Sequence, residues 1–80
     1  MKFYFTYVLH SLKDKKLYIG WTDDLKKRVR YHNLGKVRST KYRLPLKLVY
    51  FEACLSKVSA LKREKQLKSG FGRKYIASRM

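Results

Sequence analysis

The sequence predicts an α+β domain in which a three-stranded antiparallel sheet is flanked by helices, in the order β-β-α-β-α-α. Three segments rich in aromatic and β-branched residues, at 3–10, 17–22 and 46–54, predict the strands. Helix signals follow the second and the third of these segments. Because 80 residues with 45% hydrophobic content bury one small core, we expect a single domain over residues 1–80.

The first two strands are expected to form a hairpin. Residues 3–10 and 17–22 are joined by the polar segment SLKDKK, which predicts a turn. Apolar residues occupy both faces of these strands, so part of the hairpin is expected to lie under helices. If the turn centres near residues 12 and 13, Tyr7 and Tyr18 lie opposite each other.

The first helix is expected directly after the second strand. Thr22 or Asp23 can cap its free backbone amides, and the acidic residues of the segment TDD favour the positive end of a helix. Leu25 and Val29 are four residues apart on the face expected to be buried, and Gly35 predicts the end of the helix.

The rest of the chain is expected to supply one strand and two helices. Residues 36–45 form a polar, basic loop that ends at the only proline, before the strand at 46–54. Ser56 is the expected cap of a helix over 57–68, and a short helix follows at 72–78. We identify no repeat, linker or second domain.

The charge of the chain is strongly unbalanced. There are 21 lysines and arginines against 5 acidic residues, which gives a net charge of +16. Self-repulsion of this size is typical of proteins whose partner is a polyanion, so nucleic acid is the expected partner. An anionic membrane is disfavoured because the charge is not confined to one helix face, and no segment is long enough to span a bilayer.

Cys54 is the only cysteine, which excludes a disulfide framework within the chain and favours a cytoplasmic location. Together with two histidines it cannot complete a zinc site of four ligands. We expect no membrane partner, no small-molecule cofactor, and either a monomer or a weak homodimer.

Glu64 borders the apolar stripe of the second helix, beside Ala60, Leu61 and Leu67. The structural explanation is a helical ion pair with Lys68, four residues further on. The functional alternative is a ligand of Mg²⁺, which keeps most of its waters and needs few protein oxygens.

Arg28 and His32 are four residues apart and are therefore neighbours on one face of the first helix. Considered singly, a partly buried arginine or histidine is more often structural than functional. Tyr7 and Tyr18 are likewise ordinary core aromatics when each is considered by itself. The combination of these residues is more specific than any one of them.

In this order and spacing, five features resemble the GIY-YIG nuclease family: Tyr7 in FTYVL, the triad YIG at 18–20, Arg28, His32 and Glu64. The segments STKYRLPLKLVYFE and ALKREKQLKSG are similar to those of its small standalone bacterial members, so the resemblance spans nearly the whole chain. The first triad departs from the family pattern, because FTY stands in place of Gly-Ile-Tyr and only the tyrosine is kept. Larger members carry an asparagine after the glutamate, whereas Asn33, the only asparagine here, precedes it.

The resemblance implies an endonuclease that hydrolyses phosphodiester bonds with the help of a metal, with DNA as the expected substrate and RNA as the alternative. It implies that Arg28 holds the phosphate and that Glu64 binds one Mg²⁺ or Mn²⁺ ion. Tyr7 is then the general base for water, with a pKa lowered by surrounding cations and the metal. Tyr18 is expected to hydrogen-bond the phosphate or the water, and His32 to assist proton transfer or to contact phosphate.

Further residues are expected to contact nucleic acid. Gly20 is expected to let the backbone approach the substrate closely. Cations of the loop and of the C-terminal third are expected to bind phosphates: Lys36, Arg38, Lys41, Arg43, Lys65, Lys68 and Arg73. Trp21 and Tyr42 are candidates for stacking on unpaired bases.

The alternative function is a nucleic-acid-binding module of the same fold with weak or no catalysis. It is less favoured, because a glutamate beside a phosphate repels the ligand unless a metal lies between them. A role in binding a protein or the ribosome would rest on the charge alone.

Overall fold

The computed structural model describes residues 1–79, and within them it contains a three-stranded sheet and three helices. The elements are β1 (Tyr4–Ser11), β2 (Leu17–Thr22), α1 (Leu25–Asn33), β3 (Leu46–Cys54), α2 (Lys57–Leu67) and α3 (Gly70–Arg79). Neighbouring strands are antiparallel, in the spatial order β2-β1-β3. The predicted fold class and element order are confirmed, with bounds that differ by one or two residues at β1, α2 and α3. None of the described helices is long and apolar enough to cross a membrane.

The register of the hairpin differs from the expectation. Tyr7 lies opposite Gly20, and Leu9 lies opposite Tyr18, so the prediction that the two tyrosines are direct partners is wrong. Ser11 stays in β1, where its hydroxyl accepts hydrogen bonds from two amides of the turn (3.2 and 3.1 Å), and the turn is centred further along the chain. Both tyrosines nevertheless project from the same face as a diagonal pair, with ring centroids 6.4 Å apart.

Helices cover both faces of the sheet. The face that carries Tyr7 packs against α1, and the opposite face packs against α2 and α3. The first apolar cluster includes Tyr7, Leu9, Leu25, Val29 and Leu46. The second is formed by Val8, Ile19, Leu67 and Ile76. Side chains of α1 and α2 therefore approach the sheet from opposite faces.

The start of α1 is fixed by a cap one or two residues later than expected. The N-cap is Asp24 rather than Thr22 or Asp23, and its carboxylate accepts a hydrogen bond from the amide of Lys27 at 3.2 Å. The Thr22 hydroxyl accepts a hydrogen bond from the amide of Asp24 at 3.1 Å and so holds the capping residue in place.

The end of α1 is tied to β3. Gly35 has a φ of +74° and makes the left-handed turn that glycine permits, as the sequence predicts. The side-chain amide of Asn33 exchanges two hydrogen bonds with the backbone of Leu46, at 2.8 and 2.9 Å. These contacts hold the helical face that carries Arg28 and His32 at a fixed position over the sheet.

Candidate active site

Four side chains from β1, β2 and α1 meet on the face of the sheet that packs against α1. The Tyr7 hydroxyl lies 2.8 Å from Nε2 of His32, and Nε of Arg28 donates a hydrogen bond to the same hydroxyl at 3.4 Å. The Tyr18 ring stands edge to face with the His32 ring, at 5.0 Å between centroids. Tyr7 and His32 are fully buried, whereas Arg28 and Tyr18 are half-buried. Residues from three elements thus form one cluster around the Tyr7 phenol.

Gly20 makes room for that phenol. A Cβ atom at position 20 would lie 2.6 Å from the Tyr7 hydroxyl oxygen and 2.8 Å from its Cζ. The space in which we expected the substrate to approach the backbone is therefore filled by Tyr7. The structure gives Gly20 a role in positioning Tyr7, in place of the direct contact with nucleic acid that we expected.

Both ring nitrogens of His32 are engaged. Nδ1 lies 2.7 Å from the hydroxyl of Thr40, and that hydroxyl donates to the carbonyl of Val37 at 3.5 Å. The Thr40 oxygen is then the acceptor for Nδ1–H, which leaves Nε2 as the acceptor for the Tyr7 hydroxyl. Because the ring is buried and fully hydrogen-bonded, direct contact of His32 with phosphate does not fit the structure, whereas proton transfer does.

Thr40 is the site residue that sequence reasoning missed. It lies in the segment 36–45, which reads as a polar, basic loop, yet both Val37 and Thr40 are buried. The available signal was the pair of β-branched residues three positions apart in an otherwise cationic segment. As the acceptor for Nδ1–H, Thr40 favours the tautomer of His32 whose Nε2 can accept a hydrogen bond from Tyr7.

Burial dominates the protonation of the two central groups. Burial, and after it the nearby Arg28 charge, lowers the pKa of His32 to about 4, so the ring is neutral at pH 7. Burial raises the pKa of the Tyr7 phenol, and the hydrogen bond from Arg28 opposes that rise only in part. The expectation that surrounding cations lower the pKa of Tyr7 is therefore wrong for the protein by itself.

The pKa of His32 predicts a loss of stability in mild acid. The unfolded chain binds a proton at about pH 6.5 whereas the folded chain binds it only at about pH 4, so the free energy of unfolding falls as the pH falls through this window. The full effect is about 3 kcal/mol, at 1.36 kcal/mol per pKa unit. Denaturant unfolding at several pH values measures it.

His10→Gln is the matched control, and it should leave this slope intact. His32→Gln should lower stability at pH 7 but flatten the dependence between about pH 4 and pH 6.5. If His32→Gln is too unstable to measure, titration of the His32 ring by NMR in the wild-type protein gives the pKa directly. A ring that titrates near pH 6.5 would contradict the account.

Arg28 is the free cation of the cluster. Its hydrogen bond to Tyr7 raises the pKa of the guanidinium, which therefore stays charged. Within residues 1–79 it forms no ion pair with a carboxylate. The terminal nitrogens of its side chain are thus available to an anionic ligand.

A cleft of about 250 Å³ opens beside this guanidinium. Its walls are formed by Thr22, Asp23, Asp24, Lys27, Arg28 and Tyr31. The two acidic residues are engaged elsewhere, since Asp23 pairs with Lys2 at 3.1 Å and Asp24 caps α1. The cleft therefore offers positive charge to a ligand of phosphate size.

Glu64 lies on α2, the helix that packs on the opposite face of the sheet from α1. The charge of its carboxylate adds to the rise in the pKa of the Tyr7 phenol, after burial and the charge of Tyr18. In the preceding turn the carbonyl of Ala60 accepts a hydrogen bond from the buried Thr6 hydroxyl at 3.0 Å, which fixes α2 against β1. The Glu64 side chain is 18% exposed, and it forms the predicted helical ion pair with Lys68 only at 3.8 Å.

A metal at this position would rely on Glu64 as its single carboxylate ligand. Residues 1–79 contain no group of three or more His, Cys, Asp or Glu side chains that could hold a metal ion. One carboxylate nevertheless fits Mg²⁺, which keeps several waters and takes further oxygens from a substrate phosphate. The long pair with Lys68 leaves oxygen lone pairs of Glu64 free for such a role.

Most of the cations expected to bind phosphates are exposed on the surface: Lys36, Arg38, Lys41, Lys65, Lys68 and Arg73. Arg43 differs, because its guanidinium is bound to both carboxylate oxygens of Asp14, at 2.6 and 3.3 Å. It therefore joins the hairpin turn to the loop, which does not fit the expected contact with nucleic acid. Of the two aromatic candidates, Tyr42 is 74% exposed, whereas Trp21 is half-buried beneath Lys57.

Comparison with known proteins finds one matching family model and several similar small bacterial proteins. A family model described as the GIY-YIG catalytic domain matches residues 3–76. UPF0213 protein SpyM3_1077 of Streptococcus pyogenes serotype M3 and UPF0213 protein SpyM50708 of serotype M5 are each 49% identical to this chain over 61 residues. Each match covers 75% of this chain and 65% of the relative, so the chain spans less than two thirds of the length of these curated relatives.

A solved structure shares the fold. The solution NMR structure of the UPF0213 protein BH0048 from Bacillus halodurans aligns with a TM-score of 0.58 and 32% sequence identity. The alignment covers 95% of this chain and 83% of that one. Because the family model extends over nearly the whole chain, this protein belongs to the GIY-YIG family, whose fold is of the nuclease type.

Proposed function

We propose that this protein is a metal-dependent endonuclease that hydrolyses phosphodiester bonds in DNA. The observation that carries the proposal is the Tyr7 phenol held between the His32 ring, at 2.8 Å, and the Arg28 guanidinium, at 3.4 Å. A cluster that served only packing would have no need of an arginine without a carboxylate partner beside its central phenol. The family supports nucleic acid as the substrate class.

Arg28 would bind the scissile phosphate. Negative charge develops on the non-bridging oxygens as water attacks phosphorus, and a guanidinium binds two such oxygens at once. Its position is set before the substrate arrives, because Nε is already bonded to Tyr7. Tyr18, half-buried beside His32, would donate a hydrogen bond to the phosphate or orient the water.

Tyr7 would pass a proton from the attacking water to His32. Its raised pKa keeps the phenol protonated at pH 7, so we infer a relay in which Tyr7 accepts the proton of water while giving its own proton to Nε2. The water oxygen forms a bond to phosphorus, the bond to the 3′ oxygen breaks, and solvent protonates that oxygen. The phosphate's negative charge favours the imidazolium, which the protein without substrate disfavours.

Glu64 would hold the divalent ion, Mg²⁺ or Mn²⁺. A bound ion supplies positive charge opposite the phosphate and the departing oxygen. Glu64 would contribute one oxygen ligand to that ion, and the substrate phosphate would contribute others. No second acidic residue is needed for this arrangement.

A nucleic-acid-binding module is the second candidate. The specific observation in its favour is that burial raises, rather than lowers, the pKa of the phenol that would activate water. Incubation with supercoiled plasmid, single strands and branched DNA, with and without Mg²⁺, separates the two functions. Nicking that requires Mg²⁺ supports the nuclease, whereas binding without any cutting supports the module.

Gly20→Ala should reduce cleavage about a hundredfold, because displacing a reacting group by about 1 Å has an effect of this size. The added Cβ would collide with the Tyr7 hydroxyl and move it away from His32 and Arg28. Plasmid nicking rates measure the effect, and thermal unfolding shows whether the fold is kept. Gly70→Ala is the matched control, since a Cβ there meets no atom within 4 Å, and equal rates for the two variants would contradict this role.

A further inference from the structure

A second cationic cleft lies between the hairpin turn and the junction of α2 with α3. It has a volume of about 520 Å³, and its lining residues are Lys15, Lys16, Leu17, Ile19, Lys68 and Arg73. Four of the six carry positive charge, and the other two form an apolar floor. Two of the cations, Lys15 and Lys16, were not among those expected to bind nucleic acid.

The hairpin turn holds its two lysines in a defined geometry. Lys15 has a φ of +63°, a backbone conformation that residues other than glycine rarely adopt. Its amide donates a hydrogen bond to the carbonyl of Ser11 at 2.9 Å. The amide of Lys16 donates to Asp14 at 2.9 Å. Asp14 is itself bound by Arg43, so the turn is anchored from outside the hairpin. The backbone positions of both lysines are therefore set by the hydrogen bonds of this turn.

These cations lack acidic partners in the described part of the chain. Lys15, Lys16 and Arg73 form no ion pair, and Lys68 reaches Glu64 only at 3.8 Å. The acidic residue of the turn, Asp14, is already neutralised by Arg43. Like charges gathered around one cleft destabilise the fold unless an anion binds between them. The charge pattern thus points to an anionic ligand.

The cleft is connected through Lys68 to Glu64, the proposed metal ligand. Lys68 lies one helical turn beyond Glu64, about 5.4 Å along the helix axis, and successive phosphates of a duplex strand advance about 3.4 Å along the DNA axis. A strand whose scissile phosphate lies near Glu64 would thus carry its next phosphates to Lys68 and the cleft. The apolar floor of Leu17 and Ile19 suits the sugar between two phosphates.

We propose that this cleft binds the substrate strand's backbone phosphates one or two nucleotides from the scissile bond. The proposal rests on the proposed nuclease function for the position of the cut, but not for the binding itself. The structural alternative is that the lysine stems only cover the apolar floor and their charges face water. That alternative predicts no specific loss of affinity when the charges are removed.

Binding without metal tests the cleft directly. A fluorescent single-stranded oligonucleotide is titrated in EDTA, at several salt concentrations, with the wild-type protein, Lys15→Ala/Lys16→Ala and Arg73→Ala. The control is Lys13→Ala/Lys47→Ala, which removes the same charge as the double variant. Lys13 lies in the turn but outside the cleft, and Lys47 lies on β3, at the other edge of the sheet.

We expect the double cleft variant to bind about tenfold more weakly than the wild type, with a smaller loss for Arg73→Ala. The slope of log affinity against log salt should fall by about 1.4, at about 0.7 for each phosphate contact of a single strand. The control should show less than half of both effects. Equal losses in the control and the cleft variant, or no loss in either, would overturn the proposal.

The position along the strand is tested with substrates that carry one neutral methylphosphonate. Wild-type cleavage should slow when the neutral group is one or two nucleotides from the cut, and Lys15→Ala/Lys16→Ala should be insensitive to the same change. If the wild type cuts no substrate, the nuclease function fails, and the binding titration still decides whether the cleft holds nucleic acid.

Discussion

Glu64→Gln should lower Mg²⁺-dependent cleavage by a factor of about a thousand, which is the size expected when several kcal/mol of metal-derived stabilisation are lost. The neutral amide keeps the shape of the side chain but is a poor ligand for Mg²⁺. Glu64 forms only a long, partly exposed pair with Lys68, so we expect little change in thermal stability. Plasmid nicking rates and thermal unfolding measure the two quantities.

Binding supplies a second signature of Glu64→Gln. Removing a carboxylate next to the phosphate should leave DNA affinity in EDTA unchanged or make it tighter, which a variant with a damaged fold would not show. Glu52→Gln is the matched control, because Glu52 is bound by Arg63 at 2.9 Å on β3 and should affect stability more than cleavage. Cleavage by Glu64→Gln at the wild-type rate would contradict the assignment of Glu64 as the metal ligand.

Arg28→Lys should lower cleavage by about a hundredfold to a thousandfold, although the charge is conserved. Lysine lacks the planar fork that binds two phosphate oxygens, and it cannot reproduce the hydrogen bond from Nε to the Tyr7 hydroxyl. The change removes no ion pair of the described chain, so the fold should be kept. Single-turnover cleavage with saturating protein separates this loss from weaker binding.

Arg30→Lys is the control for this substitution. Arg30 lies on the same helix, two residues away, and its side chain is exposed outside the cluster. We expect wild-type cleavage from it. If Arg28→Lys and Arg30→Lys behave alike, the guanidinium of Arg28 acts only as general positive charge, and its role in holding the phosphate is lost.

The order of the elements could be predicted because each one is encoded locally. The strands follow from aromatic and β-branched runs, and α1 ends at Asn33, just before the left-handed turn that Gly35 permits. The register of the hairpin could not be predicted, because it depends on hydrogen bonds from turn amides to the Ser11 hydroxyl. A shift of two residues preserved the face, so Tyr7 and Tyr18 still reach the same cluster.

The residues of the site were predicted more completely than their protonation behaviour. The sequence and its family resemblance indicated Tyr7 and His32, but not the pKa of either group, because burial depends on the packing of α1 on the sheet. Thr40 was missed because one pair of β-branched residues three positions apart is a weak signal within a basic loop. Arg43 was misjudged because its partner, Asp14, lies 29 residues away.

Paramagnetic line broadening by Mn²⁺ tests most directly whether the cluster is one metal-dependent site. If Glu64 holds the ion beside the cluster, low Mn²⁺ concentrations should first broaden the amide and side-chain NMR signals of four residues: Glu64, Gly20, Tyr7 and Tyr18. Glu64→Gln should abolish this effect. Broadening centred on Asp23 and Asp24 instead, or equal broadening in the wild type and in Glu64→Gln, would contradict this metal site.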